Sequence, residues 1–600
     1  MKTPLRPLIG AVLLLAVPSF ATTRYVNLNN AAPAAPYATW GTAASSIQDA
    51  VDAAANGDLV LVTNGVYQTG ARAVYGMSNR VAVTKQVTVQ SLNGPTATTI
   101  AGYQVPGTTN GAAAVRCVYL TNGAVLAGFT LTNGATQTSG VDYTNQSGGG
   151  VWCDSVGAVV TNCVLTGNSA YYDGGGAYYG TLNNCTLTGN SANYIGGGAY
   201  YCLLNNCTLT TNSAKAGGGA YSGTLNNCTL TGNSATDAAY GEGGGAAYAT
   251  LNYCTLTGNS ANGTVGQGGG AYYGTLSNCA LTNNSAYQYG GGTYYAALSN
   301  CTLTGNSARY GGGSSSGGLN NCTLTGNSAI YGGGVYAGNL TNCALTGNSA
   351  NSSGGGADSG YLYNCTLAGN SATSYGGGAY YATLNNCVVY HNVASSDPNY
   401  YASTLNFSCA TPLPSGLGNI ASEPRFVNTN AWSNLRLQTN SPCVNSGNNS
   451  YVAGAYDLDG QPRISGGTVD MGAYEFQGDG LSAFSAWLWQ YGLPTDGSAD
   501  YADTDQDGMN NWQEWVAGTN PTNAASVLRM LTPLVTPTGI QLRWSSVTNR
   551  SYTLERATNL APAPVFSALQ SNLAGLGGVT SWTDTNTASS PRFYRVLVEQ

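Results

Sequence analysis

Between residues 161 and 390 apolar and polar positions alternate in a unit that occurs eleven times. The unit reads Leu-Asn-Asn-Cys-Thr-Leu-Thr-Gly-Asn-Ser-Ala, then a short variable stretch, then Gly-Gly-Gly-Ala-Tyr-Tyr. Its cysteines run from Cys163, Cys185 and Cys207 to Cys387 at intervals of 21 to 26 residues, most often 22. Cys-Thr-Leu-Thr alternates with period two, which predicts a strand with Cys and Leu inward and both threonines outward. No unit contains a helical period. A strand-bearing period of about 22 residues predicts an all-β, right-handed parallel β-helix, a solenoid in which each unit is one coil. Coils about 4.8 Å apart would bring identical residues into columns along roughly 50 Å of rod. Every unit has Asn five residues after its Cys, from Asn168 to Asn392. A buried Asn column of this kind satisfies its amides by bonding to the coils above and below.

The pattern changes on either side of the repeats. Residues 22–135 read as an N-terminal cap and first coils: Ile47, Ala50, Val51 and Ala54 share one face of a short helix. Asn56-Gly57-Asp58 then turns into the apolar strand Leu59–Val62. The regular repeats occupy 136–395, and residues 396–478 hold the last coils and a distinct segment. Residues 479–525 form a small acidic module. Residues 526–600 carry strand patterns such as Ile540–Trp544 and Phe593–Val596, expected to form a β-sandwich. At the start, Lys2 and Arg6 precede an apolar run from Leu8 to Val17 and then Ser19-Phe20-Ala21. That is the pattern of a signal peptide, residues 1–21, cut after Ala21. The run is too short to span a bilayer, and no later stretch is long and apolar enough to do so. A secreted or cell-surface bacterial protein, monomeric and without a transmembrane segment, is the expectation.

Composition removes several functions. The 600 residues include only 18 basic and 25 acidic side chains, 7% of the chain, and one histidine. A soluble domain usually carries about 25%. A net charge of −7 with so few basic residues argues against nucleic acid as a partner. The solitary His391 rules out multi-histidine metal sites and disfavours histidine acid–base catalysis. It sits four residues after a column cysteine, where eight of the eleven units have Gly. A left-handed turn position explains it. Eighty-four glycines in a weakly charged chain suggest disorder, but 42% hydrophobic residues and 42 tyrosines oppose that. The 16 cysteines of an exported chain suggest disulfides, yet eleven fall one per coil. In-register Cβ atoms lie slightly too far apart to bridge, so mostly free, buried thiols are expected.

All length variation lies between the Ala of Asn-Ser-Ala and the Gly triplet. Five of the six charged residues between 161 and 390 are there: Asp173, Lys215, Asp237, Glu242 and Arg309; Asp358 is the sixth. Tyr171, Tyr172, Tyr194, Tyr240 and Tyr287 lie in the same stretches, as do Tyr289, Tyr310, Tyr331 and Tyr375. Insertions on a solenoid gather on one face, often the binding one, and a Tyr edge with few charges suits sugars or protein surfaces. Equally, such stretches are permissive turns whose tyrosines cover the core edge. A second aromatic row comes from the pairs after the triplet, such as Tyr200/Tyr201 and Tyr272/Tyr273, expected to alternate in and out. The pairs Thr186/Thr188, Thr208/Thr210 and Thr302/Thr304 project from one sheet, an array resembling those of ice-binding proteins. Thr is also simply a good outward strand residue.

The strongest metal signal is Asp503-Thr-Asp505-Gln-Asp507-Gly508-Met509-Asn-Asn511-Trp-Gln-Glu514. Asp503, Asp505, Asp507, Asn511 and Glu514 stand at loop positions 1, 3, 5, 9 and 12. Gly508 is at position 6, and Met509 offers its carbonyl at position 7, so Ca2+ is the expected ion. With Gly518-Thr519-Asn520-Pro521 the loop resembles a thrombospondin type 3 or dockerin-like module, implying a rigid joint. The repeats Leu-Thr-Gly-Asn and Gly-Gly-Gly-Ala resemble those of chlamydial polymorphic membrane proteins, surface adhesins on a right-handed β-helix. The cap is similar to that of secreted pectate-lyase-like β-helices. Ser441-Pro442-Cys443, Asp457-Leu458-Asp459-Gly460 and residues 469–476 resemble a choice-of-anchor Q segment. The C-terminal strands resemble a fibronectin type III domain.

Pectate-lyase-like enzymes imply Asp/Glu calcium ligands and an Arg or Lys base on one sheet face. The six charges of the repeats form no such set; Asp142 and Asp154, near the start, and the charge-richer ends of the chain stay open as places for one. No catalytic residue is assigned. The sequence thus points to a non-catalytic surface protein that binds a glycan or a protein through its Tyr-rich edge. A polysaccharide lyase or hydrolase is the second reading and an ice-binding Thr array the third.

Overall fold

The computed structural model describes residues 21–140, 143–465, 467–477, 483–494, 499–558, 566–586 and 592–599. Asp142 and residues 1–20, which hold most of the expected signal peptide, lie outside them. The repeats form a parallel β-helix with three sheets. Cys-Thr-Leu-Thr strands build a 15-stranded sheet in which, for example, Thr186–Thr188 pairs with Thr208–Thr210 and Leu187 stacks on Leu209. Ser-Ala dipeptides build a 10-stranded sheet. The stretch after the Gly triplet, such as Ala220–Asn226 against Ala246–Asn252, builds a 24-stranded sheet that also takes in the cap strands. The interior is filled by columns of Leu, Cys and Ala, continuous from Val26 to Ala410.

All sixteen cysteines are buried and unpaired. Each thiol in the column donates to backbone carbonyls; Cys207 Sγ, for instance, lies 3.4 Å from Leu182 O and 3.4 Å from Asn205 O. The Asn column closes on itself as the period implies. Asn190 Nδ2 donates to Asn212 Oδ1 at 3.0 Å and to Leu165 O at 2.9 Å, and Asn212 Oδ1 also accepts from Asn190 N.

The corners need left-handed backbone, and the sequence supplies residues that tolerate it. The residue before each Cys has positive φ (Asn184, 53°), as does the fourth residue after it (Gly189, 61°; Asn283, 54°; His391, 59°). His391 is therefore the turn residue the pattern implies. The triplet glycines are needed for a different reason. A Cβ on Gly197 would lie 2.3 Å from Ser213 O and 2.5 Å from Gly218 O, inside the next coil's backbone.

The tyrosine pairs do not alternate in and out. The second tyrosine is itself left-handed, at φ 52° for Tyr201 and 50° for Tyr295, which kinks the strand. The rings of Tyr200 and Tyr201 therefore both lie outside, with Ala199 and Cys202 on either side turned into the core, while Tyr179 one coil earlier still packs against it.

Both ends are closed. The helix Ile47–Ala53 buries Ile47, Ala50 and Val51 against the first coils, with Ser46 Oγ accepting from Asp49 N at 3.1 Å. Residues 400–410 add one more coil, and the chain from Phe426 on, through the described residues 426–465 and 467–477, folds back along the Thr face. Asn386 Nδ2 donates to Asn448 O and its Oδ1 accepts from Asn448 N, while Ala473 N donates to Thr366 Oγ1. Thr366 and Val388 are buried there, whereas Thr302 and Thr304, farther up the rod, are exposed. The returning segment is pinned by acids used as acceptors. Asp457 takes the N–H groups of Asp459, Gln461 and Glu475, and Asp470 those of Asn445 and Phe476.

The C-terminal strands form two three-stranded antiparallel sheets around Leu542, Trp544, Tyr552 and Leu554. No helix among the described residues is long and apolar enough to cross a membrane.

Candidate functional site

The residue before each Gly triplet and the first aromatic after it form two facing columns. The first runs Asp173, Ile195, Ala216, Glu242, Gln267, Tyr289 and Tyr310 in bridge register, then Tyr331, Ser353 and Tyr375. The second includes Trp152, Tyr178, Tyr200 and Tyr221, then Tyr272, Tyr294 and, after one gap, Tyr336. The triplet turns the chain sharply between them, so the two columns meet along a corner. Within the second column, rings stack coil on coil: Tyr178 on Tyr200 at 4.9 Å and Tyr272 on Tyr294 at 5.8 Å between centroids. Beside it the second tyrosines stack as well, Tyr273 on Tyr295 at 5.1 Å, edge-on to the first row.

The predicted edge residues divide into groups. Tyr172 stacks on Tyr194 at 4.4 Å, Lys215 Nζ lies 4.8 Å over the Tyr194 ring, and Lys215 pairs with Asp237 at 3.9 Å. Tyr289, Tyr310 and Tyr331 form a second stack at 5.1 and 5.3 Å, with Arg309 against Tyr310. Tyr375 packs on Tyr401. Tyr171, Tyr240 and Tyr287 have no ring neighbour among the described residues, and Tyr240 and Tyr287 stand out into solvent. Asp173 is not an edge charge. It is buried, its Oδ1 has no partner, and burial pushes its carboxyl up to about 7. Glu242 is half-buried and raised for the same reason.

Asp358 is the residue the sequence reading left out of the edge. It occupies the aromatic column, in register between Tyr336 and Tyr380, where the repeat has Tyr. With Ser352, Ser353 and Ser374 it lines a groove of about 450 Å³ among Tyr310, Tyr331, Tyr336, Tyr375 and Tyr380. The detectable signal was Ala-Asp-Ser-Gly in place of Ala-Tyr-Tyr-Ala after one triplet. Ser353 Oγ and Ser359 Oγ each donate to its carboxylate at 3.0 Å, but burial outweighs them and raises its pKa. Asp154, the described half of the other acid pair, is exposed and accepts from the hydroxyls of Tyr119 and Thr121.

In the acidic module, Asp503, Asp505 and Asp507 each bring a carboxylate oxygen within 4.8 Å of the others. The loop is closed by its own amides: Gly508 N donates to Asp503 Oδ2 at 3.0 Å and Met509 N to Asp507 Oδ1 at 2.8 Å. Glu514 sits in the helix Asn511–Ala517 and is fully buried. Burial and the neighbouring aspartates raise its carboxyl to about 7. Asp505 Oδ2, Asp507 Oδ2 and Glu514 Oε2 are buried without a hydrogen-bond partner. That donor set fits a hard cation such as Ca2+. Asn511 accepts from Thr504 Oγ1 and donates to Ala499 O, so its amide ties the loop to the preceding segment.

No protein-family model matches this chain, and no curated protein sequence does either. Solved structures similar to it include pectate lyase Pel9A, at 14% identity over 76% of this chain and 97% of that one, TM-score 0.23. The Azotobacter vinelandii mannuronan C-5 epimerase AlgE4 A-module is 12% identical over 62% and 91%, TM-score 0.23. A rhamnogalacturonan lyase is 11% identical over 68% and 91%, TM-score 0.21. These are β-helix proteins, and at such values the likeness carries no argument about activity. The parallel β-helix rests on the strand ladders described above.

Proposed function

We propose that this chain is an exported, non-catalytic rod that binds glycan chains along the corner where the column before the Gly triplets meets the aromatic column after them. One observation carries the reading: tyrosine rings are presented in register at the coil spacing, about 4.8 Å, over many coils. Such stacks have few charges beside them and present ring edges and phenol hydroxyls outward, amphipathic surface that suits both the apolar patches and the hydroxyls of sugars. Turnover needs more. Hydrolysis of a glycosidic bond uses two carboxyl groups about 5–10 Å apart. Asp173, Glu242 and Asp358 lie on different coils several apart, and no two of them face each other across the groove.

The acidic module is part of the same proposal. Asp503, Asp505, Asp507, Glu514 and the Met509 carbonyl would hold Ca2+, which supplies the positive charge that three unpartnered carboxylate oxygens call for. Its role is mechanical, as the joint between rod and C-terminal domain. Export through residues 1–21 is the matching localisation.

A glycan array run beside a polygalacturonate assay for unsaturated products tests the reading. Retention of one glycan class without turnover is expected. Turnover without retention would establish the lyase alternative instead.

A further inference from the structure

The groove at Asp358 is built by two replacements of tyrosine on one coil. Ser353 stands where the neighbouring coils place Tyr331 and Tyr375, and Asp358 stands where they place Tyr336 and Tyr380. Both vacancies open on the same corner, and the rings of the flanking coils become walls. A comparable vacancy elsewhere in the column is closed. At Ser315 the register also lacks a ring, but Tyr310 packs against Tyr336 at 5.1 Å and Ser315 is fully buried. Small neighbours, Ser352 and Ser374, leave the Asp358 vacancy open.

The chemistry of the opening is one-sided. Asp358 is 4% exposed, and its side-chain partners among the described residues are two serine hydroxyls. It takes part in no described ion pair; the nearby cation of the edge, Arg309, lies instead against the Tyr310 ring at 5.4 Å. The walls are five tyrosines, whose ring faces carry negative partial charge. A desolvated carboxylate and a set of ring faces favour the same occupant, an organic ammonium group. The corner that leads into the groove on both sides offers stacked rings to sugar units. Resting on the glycan-binding reading above, we propose that this groove is a subsite for the free amine of an amino sugar within a bound glycan. Asp358 is its counter-charge, and Tyr336, Tyr375 and Tyr380 line it. A neutral or N-acetylated unit brings no positive charge to pair with Asp358, so it gains nothing from this site.

Calorimetric titration of the full chain with a glucosamine hexamer and with an N-acetylglucosamine hexamer decides this, at a pH where the amines are protonated. The glucosamine hexamer is expected to bind tighter by about tenfold or more, the scale of one desolvated charge-to-ring site. Asp358→Asn keeps the shape, removes the charge and should erase that preference. Asp358→Tyr restores the repeat residue, so it should fold as the parent does, fill the groove and abolish the tight glucosamine binding. Equal affinity for the two hexamers, or a preference unchanged in Asp358→Asn, overturns the inference while leaving glycan binding intact. A lysine hexapeptide that binds as tightly as the glucosamine hexamer also overturns it, in favour of a protein ligand. Binding of neither hexamer overturns it too, and the glycan array then decides the wider reading on its own.

Discussion

A carboxyl group inside a β-helix must find partners among groups that already have them, and Asp173 does so incompletely. One of its oxygens has none, and burial lifts its pKa to about 7. The unfolded value is about 3.9. With the folded value above the unfolded one, the fold prefers the protonated acid. The stabilisation is fully present below about pH 3.9, shrinks as pH rises and is gone above about pH 7. Asp173→Asn should remove this slope and be more stable than the parent above about pH 7. Urea midpoints of both proteins across that range measure it; parallel pH profiles would refute it. The opposite case is Asn259, whose amide donates to Asn284 Oδ1 and Leu230 O and accepts from Asn233 N and Nδ2. Asn259→Leu leaves several buried groups unpaired, at about 1–3 kcal/mol each. A loss on the order of 3–5 kcal/mol is expected from urea denaturation, and a loss under about 1 kcal/mol would mean the column adds little. The Asn column was legible because its period is the coil period. The isolated acids were not, because one sequence position does not say whether a carboxyl sits on the rim or under it.

At the scale of one coil, the two kinds of glycine should respond differently. Gly189 has φ +61° with open space around its missing Cβ, and Asn283 and His391 already occupy the same corner in other coils. Gly189→Asn is expected to cost under about 1 kcal/mol. Gly197 has an ordinary φ but no room, since its Cβ would enter the backbone of the coil above. Gly197→Ala is expected to cost about 3 kcal/mol or more, read as a drop in urea midpoint. Equal effects would mean that the close approach of the next coil does not select glycine at Gly197. The coil length, the inward Cys and Leu and the turn at His391 could be read from spacing alone. The kink at Tyr201 could not, since that position is held by Tyr, Ser or Ala in different coils and none announces a left-handed residue. The groove at Asp358 was hidden for a related reason: it depends on two absences, at Ser353 and Asp358, that become adjacent only once the corner is folded.

Across the whole molecule, two arginines carry the joints on either side of the acidic module. Arg436 in the returning segment grips Asp459 and Asp500, each at 2.6 Å. Arg550 of the C-terminal domain donates to the Trp515 and Val516 carbonyls at the end of the helix that bears Glu514. The loop's own hydrogen bonds hold its shape, but they leave several carboxylates packed together, which repel one another until a cation is bound. Calcium should therefore tighten the whole junction, because anything that disturbs the helix disturbs the Arg550 contact. Trypsin reports on this well, since the repeats offer it only Lys215 and Arg309 within stacked coils. Arg529, exposed just after the module, is the natural cleavage point. Binding protects by mass action, up to about a hundredfold when calcium is about a hundred times its Kd. Chelation should speed release of the fragment beginning at Met530 toward that limit, and Asp505→Asn should be cut at the chelated rate even with calcium present. Cleavage at Arg529 that ignores both calcium and Asp505→Asn would mean the acidic loop is a solvated turn, and the rod would then meet its last domain through Arg436 and Arg550 alone.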